Sequence, residues 1–309
     1  MTAPSTARRM LTILVWIGWI TVVLATAIGF AAPWVPAFDL INEARPLWVL
    51  IALALFLAAA ALREWPLIRP TAALAVLQIG LLLLPWARAA DAAPGRPPAL
   101  RLVTFDLGAD NSRFDEVAEF LLGANADIVL LQEVSCSAAE RLLPKLRAAY
   151  ANVFAPGDGC DRQALLAKRP WASVGQVITG TRKPLLVTAR FQWNGAVFTL
   201  TGTRLAGPLT PNERAADMER LRTHLATQGA AQIVAGAFNL APFAWRFAQL
   251  QGAGLGQFAT YVATWPADWP VLAMDNVLST DGIASVRVTV GPPLGSDHRP
   301  LIADIAFVK

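Results

Sequence analysis

Residues 10–32, MLTILVWIGWITVVLATAIGFAA, run for 23 residues without one charge. At about 1.5 Å of helical rise per residue, such a run is long enough to cross a bilayer. Hydrocarbon offers no partner to an open backbone amide, so the run can satisfy itself only as a helix. Two further apolar runs follow, at 47–62 (LWVLIALALFLAAAAL) and 70–87 (PTAALAVLQIGLLLLPWA). A cleaved signal peptide is the alternative reading of the first run. Its length, the lack of a small-x-small cleavage site and the two runs behind it favour three membrane helices. The composition agrees, with 55% apolar and only 16% charged residues.

The arginines orient the spans. Arg8 and Arg9 precede the first, and Arg63 and Arg69 lie between the second and third. The loop between the first two holds Arg45 beside Asp39 and Glu43. The positive-inside rule then places the N-terminus in the cytoplasm and everything after the third span outside. Residues 1–96 hold seven Lys/Arg against four Asp/Glu, and residues 97–309 hold 19 against 18. The net charge of +4 therefore belongs largely to the membrane-flanking arginines, and nucleic acid is disfavoured as a partner of the rest.

Residues 1–90 are thus expected to form a membrane domain, 91–99 a Pro-rich linker, and 100–309 one further domain. In that domain strands are expected at 100–107, 127–134, 163–170, 184–193, 196–205, 231–238, 274–280, 285–290 and 301–308. Helices are expected at 112–124 with Ser112 as N-cap, at 137–150 with a break at Pro144, at 212–228 and at 242–252. Mixed elements with apolar central strands give a layered α/β domain. Polar residues gather where the strands end: Asp106, Gln132, Glu133, Arg204, Asn239, Asp275 and the run Ser296-Asp297-His298. His224 falls in the 212–228 helix and reads as a surface residue. Cys136 and Cys160 sit in polar stretches of the outside domain, which permits a disulfide; two unrelated buried thiols are the alternative.

Taken in order, VTFDLGADN, ADIVLLQEV, GTRLAGP, VAGAFNLAP, MDNVL and GSDHRPLIADI resemble the endonuclease/exonuclease/phosphatase family. The resemblance covers residues 100–308, and bacterial members of this family include membrane-anchored ones. It implies a four-layer sandwich, two mixed sheets face to face with helices outside. It also implies divalent-metal-dependent cleavage of phosphate esters, with magnesium or manganese. Glu133 matches the metal-binding glutamate, and Asp106 and Asp297 are the further candidate ligands. His298, Asp297, Asp275 and Asn239 match catalytic positions, Asp275 as the acid that orients His298. Arg204, Asn239 and His298 are the candidate phosphate contacts.

The chain also departs from the pattern. Asp106 stands where the family has Asn, and Arg204 where many members have His. Gly236-Ala237-Phe238-Asn239 stands for G-D-F-N, whose Asp positions or activates the attacking water. The sequence therefore supports two readings: a metal-dependent phosphoesterase with an altered site, or an inactive relative that binds a phosphorylated ligand, a lipid head group or a protein. An inner-membrane, multi-pass protein with its C-terminal domain in the periplasm suits a lipid or small phosphodiester as ligand. In TWPADWP (264–270), Trp265 and Trp269 form either a lip at the site or a loop packing its aromatics on the domain, and the packed loop is favoured.

Overall fold

A computed structural model describes residues 6–85, 93–156, 160–178, 184–257 and 262–308. Residues 86–92, the end of the third predicted span and the start of the linker, lie outside the described residues. The chain divides into two compact units, residues 1–87 with 242–249, and residues 88–241 with 250–309.

The first unit is helical: α1 (Thr6–Phe30), a 3-10 turn (Pro36–Phe38), α2 (Asp39–Glu43), α3 (Arg45–Ala61) and α4 (Trp65–Leu83). α1 and α4 are each long and apolar enough to cross a membrane. The segment 36–43 and α3 form a third span if they are taken together across their 55° bend. The predicted spans shift slightly toward the N-terminus, because Arg8, Arg9 and Arg45 lie within helices rather than before them. Small residues such as Ala52, Ala59 and Ala75 are buried among the helices, and the long apolar side chains face outward. A polar chain crosses this unit. Arg45 donates to Asn42 (2.5 Å) and Gln78 (3.0 Å), and Gln78 donates to Thr26 Oγ1 (2.6 Å). Fully buried Asp39 accepts from Trp245 N (2.7 Å) and pairs with Arg246 Nη1 (3.0 Å).

The second unit holds two six-stranded sheets. In chain order its elements are β1 (Leu100–Asp106), α5 (Phe114–Ala124), β2 (Ile128–Val134), α6 (Cys136–Arg141), α7 (Leu143–Leu146), β3 (Asn152–Phe154), β4 (Arg162–Ala167), β5 (Ser173–Ile178), β6 (Pro184–Trp193), β7 (Ala196–Arg204), α8 (Pro211–Ala226), β8 (Gln232–Ala237), the C-terminal end of α9 (Trp245–Gly252, whose residues up to 249 belong to the first unit), β9 (Gly256–Gln257), β10 (Asp275–Ser279), β11 (Ile283–Val290) and β12 (Leu301–Phe307). The sheet orders are β11-β12-β1-β2-β4-β3 and β5-β6-β7-β8-β10-β9. Each sheet is built around one parallel pair, β1 with β2 and β7 with β8, flanked by antiparallel strands.

Alternation along the strands explains the layers. Leu100, Leu102, Ile128 and Leu130 of one sheet share a core with Phe191, Trp193, Phe198, Leu200 and Ile233 of the other. The opposite side chains of β1 and β2, among them Val103, Phe105, Val129 and Leu131, pack on Phe114, Val117 and Leu121 of α5 and on Leu142 and Leu146. Central strands covered on both faces read as continuous apolar runs, as 127–134 does. The expected α/β sandwich is the observed fold.

Three details differ. The expected N-cap Ser112 gives way to Arg113, whose backbone N–H donates to Asn111 Oδ1 (2.9 Å). Pro144 opens a second short helix, α7, rather than bending one long helix. The short edge strands β3, β5 and β9 had no sequence counterpart. Cys136 and Cys160 are disulfide-bonded, with Cα atoms 4.7 Å apart.

Candidate functional site

The topology brings the candidate residues to one rim. β1, β2, β7 and β8 all end there, placing Asp106, Glu133, Arg204 and Ala237 at their C-terminal ends. β10 runs antiparallel to β8 and β12 antiparallel to β1, so their beginnings lie at the same rim. They bring in Asp275 and His298. Asp106, Glu133, Arg204, Asn239, Asp297 and His298 line one cavity of about 360 Å³, with Trp265, Met274 and the loop 207–210. A larger cavity of about 720 Å³ lies between β5, β6, β7 and α8. Its lining contains no carboxylate; half-buried His224 bonds Thr188 there (2.9 Å) instead of sitting on the surface as expected.

The rim backbone is unusual at two strand ends. Glu133 (φ 47°) and Asn239 (φ 49°) adopt left-handed conformations. For a non-glycine residue this costs about 1–2 kcal/mol and persists only where the surroundings over-determine it. Glu133 sits where the β2–β4 register shifts, and buried Arg214 of α8 donates to Asn239 O (2.7 Å). Gly236 (φ 142°) has no room for a Cβ, which would run into the Thr203 carbonyl. Asn239 Nδ2 donates to Leu205 O (2.8 Å), tying the turn to the residue after β7.

Arg204 lies on two carboxylates. Its Nε donates to Asp106 Oδ2 (3.2 Å) and its Nη2 donates to Glu133 Oε1. The remaining oxygens are also taken: Gly108 N donates to Asp106 Oδ1 (3.2 Å) and Ala109 N to Glu133 Oε2 (3.0 Å). Burial, followed by the charge of Asp106, pushes the Glu133 carboxyl up, against the pull of Arg204. Burial alone would lower Arg204, but the charges of Asp106 and Glu133 outweigh it and hold the guanidinium above its ordinary value.

His298 is buried and pairs through Nδ1 with Asp275 Oδ2 (2.7 Å), which also accepts from Thr264 Oγ1 (2.6 Å). Burial works against the imidazolium, but the charge and hydrogen bond of Asp275 prevail and push its pKa up to about 9. His298 is therefore a cation at neutral pH. With Nδ1 committed to Asp275, Nε2 is the nitrogen it can offer the cavity. Ser296 Oγ donates to Asp106 O (2.7 Å) and accepts from His298 N (2.9 Å), tying this loop to β1. Asp297 is exposed and accepts from Trp265 Nε1 (3.1 Å). Trp265 thus forms part of the cavity wall, while Trp269 is 77% exposed, contrary to the packed-loop expectation for that residue.

Ala237 faces Arg204 across the β7–β8 pair and Asp275 across the β8–β10 pair. Directly paired residues share a face, so a carboxylate at 237 would stand between Arg204 and Asp275.

The sequence profile of the Endonuclease/Exonuclease/phosphatase family matches residues 103–298, and the chain belongs to that family. No curated protein matches it. Among solved structures it is similar to D. rerio TDP2 humanized by 14 mutations (15% identity, 67% of this chain and 98% of that one, TM-score 0.58). It is similar to D. rerio TDP2 complexed with single-strand DNA product (15%, 67% and 98%, TM-score 0.57). It is also similar to an endonuclease/exonuclease/phosphatase from Beutenbergia cavernae DSM 12333 (17%, 69% and 72%, TM-score 0.55). At these identities the likeness is one of fold.

Family members generally use divalent metals. The residues here do not fit a resident divalent ion. The Arg204 cation sits between Asp106 and Glu133, backbone amides hold a further oxygen of each, and Asp297 accepts from Trp265. Among the described residues, no group of three or more His, Cys, Asp or Glu side chains is arranged to hold a metal.

The roles of Arg214 and Thr264 were missed in the sequence. Arg214 was legible in principle, since it falls on the same helical face as Met218, Leu221 and Leu225, all buried. Thr264 carries no pattern that marks it.

Proposed function

We propose that the chain is a membrane-anchored binding protein for phosphate diesters, built on a phosphoesterase fold whose hydrolytic step has been lost. The observation that carries this reading is Arg204 held on Asp106 and Glu133 beside Ala237. The carboxylates that would serve a metal are bonded to the guanidinium, and the water-activating carboxylate is an alanine. What remains suits capture. Arg204 is 27% exposed and keeps donors beyond the two it uses. Protonated His298 and Asn239 line the same cavity. Asp106, Glu133 and Asp297 outnumber Arg204 and protonated His298 in the lining, so a diester monoanion is better tolerated than a phosphomonoester dianion. Leu209 (91% exposed) on the cavity lining and Trp269 nearby in sequence to Trp265 offer apolar surface, which favours a lipid diester over a bare one.

In this reading the three spans anchor residues 1–90, and residues 100–309 face the periplasm. The disulfide supports an oxidising compartment. A second reading, slow hydrolysis, is favoured by one observation: the Thr264–Asp275–His298 relay is intact and buried. It would supply a proton to a leaving group.

Titration of the full chain in detergent with short-chain phosphatidylglycerol tests the proposal. Saturable binding without turnover is expected, weakened about 10–100-fold by His298→Ala, the usual worth of a hydrogen bond to a charged group. Absence of binding, or binding indifferent to His298→Ala, overturns it. Steady turnover lost in His298→Ala establishes the second reading.

A further inference from the structure

We infer that Arg204 is the resident cation of this site, a charge built into the protein itself between Asp106 and Glu133 where the family is expected to hold a divalent metal. This does not depend on whether the bound ester is turned over.

Arg204 lies between the two carboxylates, and Asp161 adds a third negative charge that acts on Glu133 and Arg204. Asp106 is 2% exposed, and a carboxylate so buried must be paired. Its two oxygens go to Arg204 Nε and Gly108 N, and those of Glu133 go to Arg204 Nη2 and Ala109 N. The guanidinium thus occupies the place between the two carboxylates where an ion bridging them would sit. A divalent ion beside them would also stand against a fixed positive charge. Arginine suits this post because it stays charged at any physiological pH and its planar fork can meet two carboxylates at once. The left-handed backbone of Glu133 aims its carboxylate at the guanidinium and at Ala109 N together. The alanine at 237 belongs to the same arrangement: a third carboxylate there would compete with Asp106 and Glu133 for Arg204.

Replacing the guanidinium should therefore create a metal site where there was none. The test is electron paramagnetic resonance titration of Mn2+ into the full chain in detergent, on the parent, Glu133→Gln, Arg204→Gln and Arg204→Gln with Glu133→Gln. The parent is expected to bind no Mn2+ that depends on Glu133. Arg204→Gln should bind one ion at least about tenfold more tightly, as affinity at oxygen sites follows ligand charge. The double variant should lose it. Parent binding that Glu133→Gln removes overturns the inference, as does a folded Arg204→Gln with no gain. If Arg204→Gln does not fold, Arg204→His is read in its place, and the parent against Glu133→Gln decides independently of either.

Discussion

Arg204→Gln is also the sharpest test of the energetics at the rim. The substitution leaves Asp106, 2% exposed, beside Glu133 with no cation between them. Removing one partner of a buried ion pair costs about 3–5 kcal/mol. Arg204 is 27% exposed and water screens part of the loss, so about 2–3 kcal/mol is expected here. For a domain of about 200 residues this lowers the unfolding midpoint by roughly 5–10 °C. The loss should depend on pH in one direction. Burial and Asp106 already raise Glu133 in the parent. Without the guanidinium it rises further, so the folded variant binds more protons than the unfolded chain. A raised carboxyl loses stability as pH climbs through its folded pKa, so the deficit should be small in mild acid and full at pH 8. Thermal unfolding followed by near-ultraviolet circular dichroism, with a chelator present, reads this. A midpoint within about 1 °C of the parent at pH 8, or a deficit independent of pH, would refute the reasoning.

His298 gives a trend of its own. Its pKa is pushed from 6.5 to about 9, so its contribution, of order 3 kcal/mol, is fully present below about pH 6.5 and is lost as pH rises through 9; Asp275→Asn should flatten that fall in chemical denaturation between pH 6 and 10. In the helical unit, Asp39→Asn leaves Arg246 buried without its counter-charge and should cost about 3–5 kcal/mol, visible as a lower midpoint in detergent; an unchanged midpoint would show that the pair contributes nothing. Cys136 and Cys160 are 24 residues apart, and opening that loop by Cys136→Ser with Cys160→Ser should cost about 3 kcal/mol, measured by denaturant titration of both forms.

Much of this was legible in the chain itself. Runs such as IVLLQEV, apolar on both faces, could only be central strands, and the polar residues at their ends marked the rim before any coordinates did. Ala237 stood out as a missing carboxylate because the turn around it was kept. The edge strands β3, β5 and β9 were not legible: they are short or lightly buried, and edge pairing imposes no apolar period. The bond partners of Arg204 were also hidden. The sequence marked it as a phosphate clamp, but its engagement with Asp106 and Glu133 depends on strands that are distant in the chain and adjacent only in the fold. Arg214 was not singled out in the 212–228 helix, although its spacing to Met218 and Leu221 puts it on the buried face.

Hydrolysis of bis(p-nitrophenyl) phosphate by the full chain with magnesium, set beside the Ala237→Asp/Arg204→His double variant, tests the lost hydrolytic step most directly. The parent should show no magnesium-dependent turnover. The double variant, with a carboxylate at 237 and Asp106 and Glu133 released, should gain it, by up to about 10²–10⁴-fold over the parent's background for the restored base. Magnesium-dependent turnover by the parent, abolished by chelation and by His298→Ala, would contradict both the lost hydrolytic step and the resident role of Arg204.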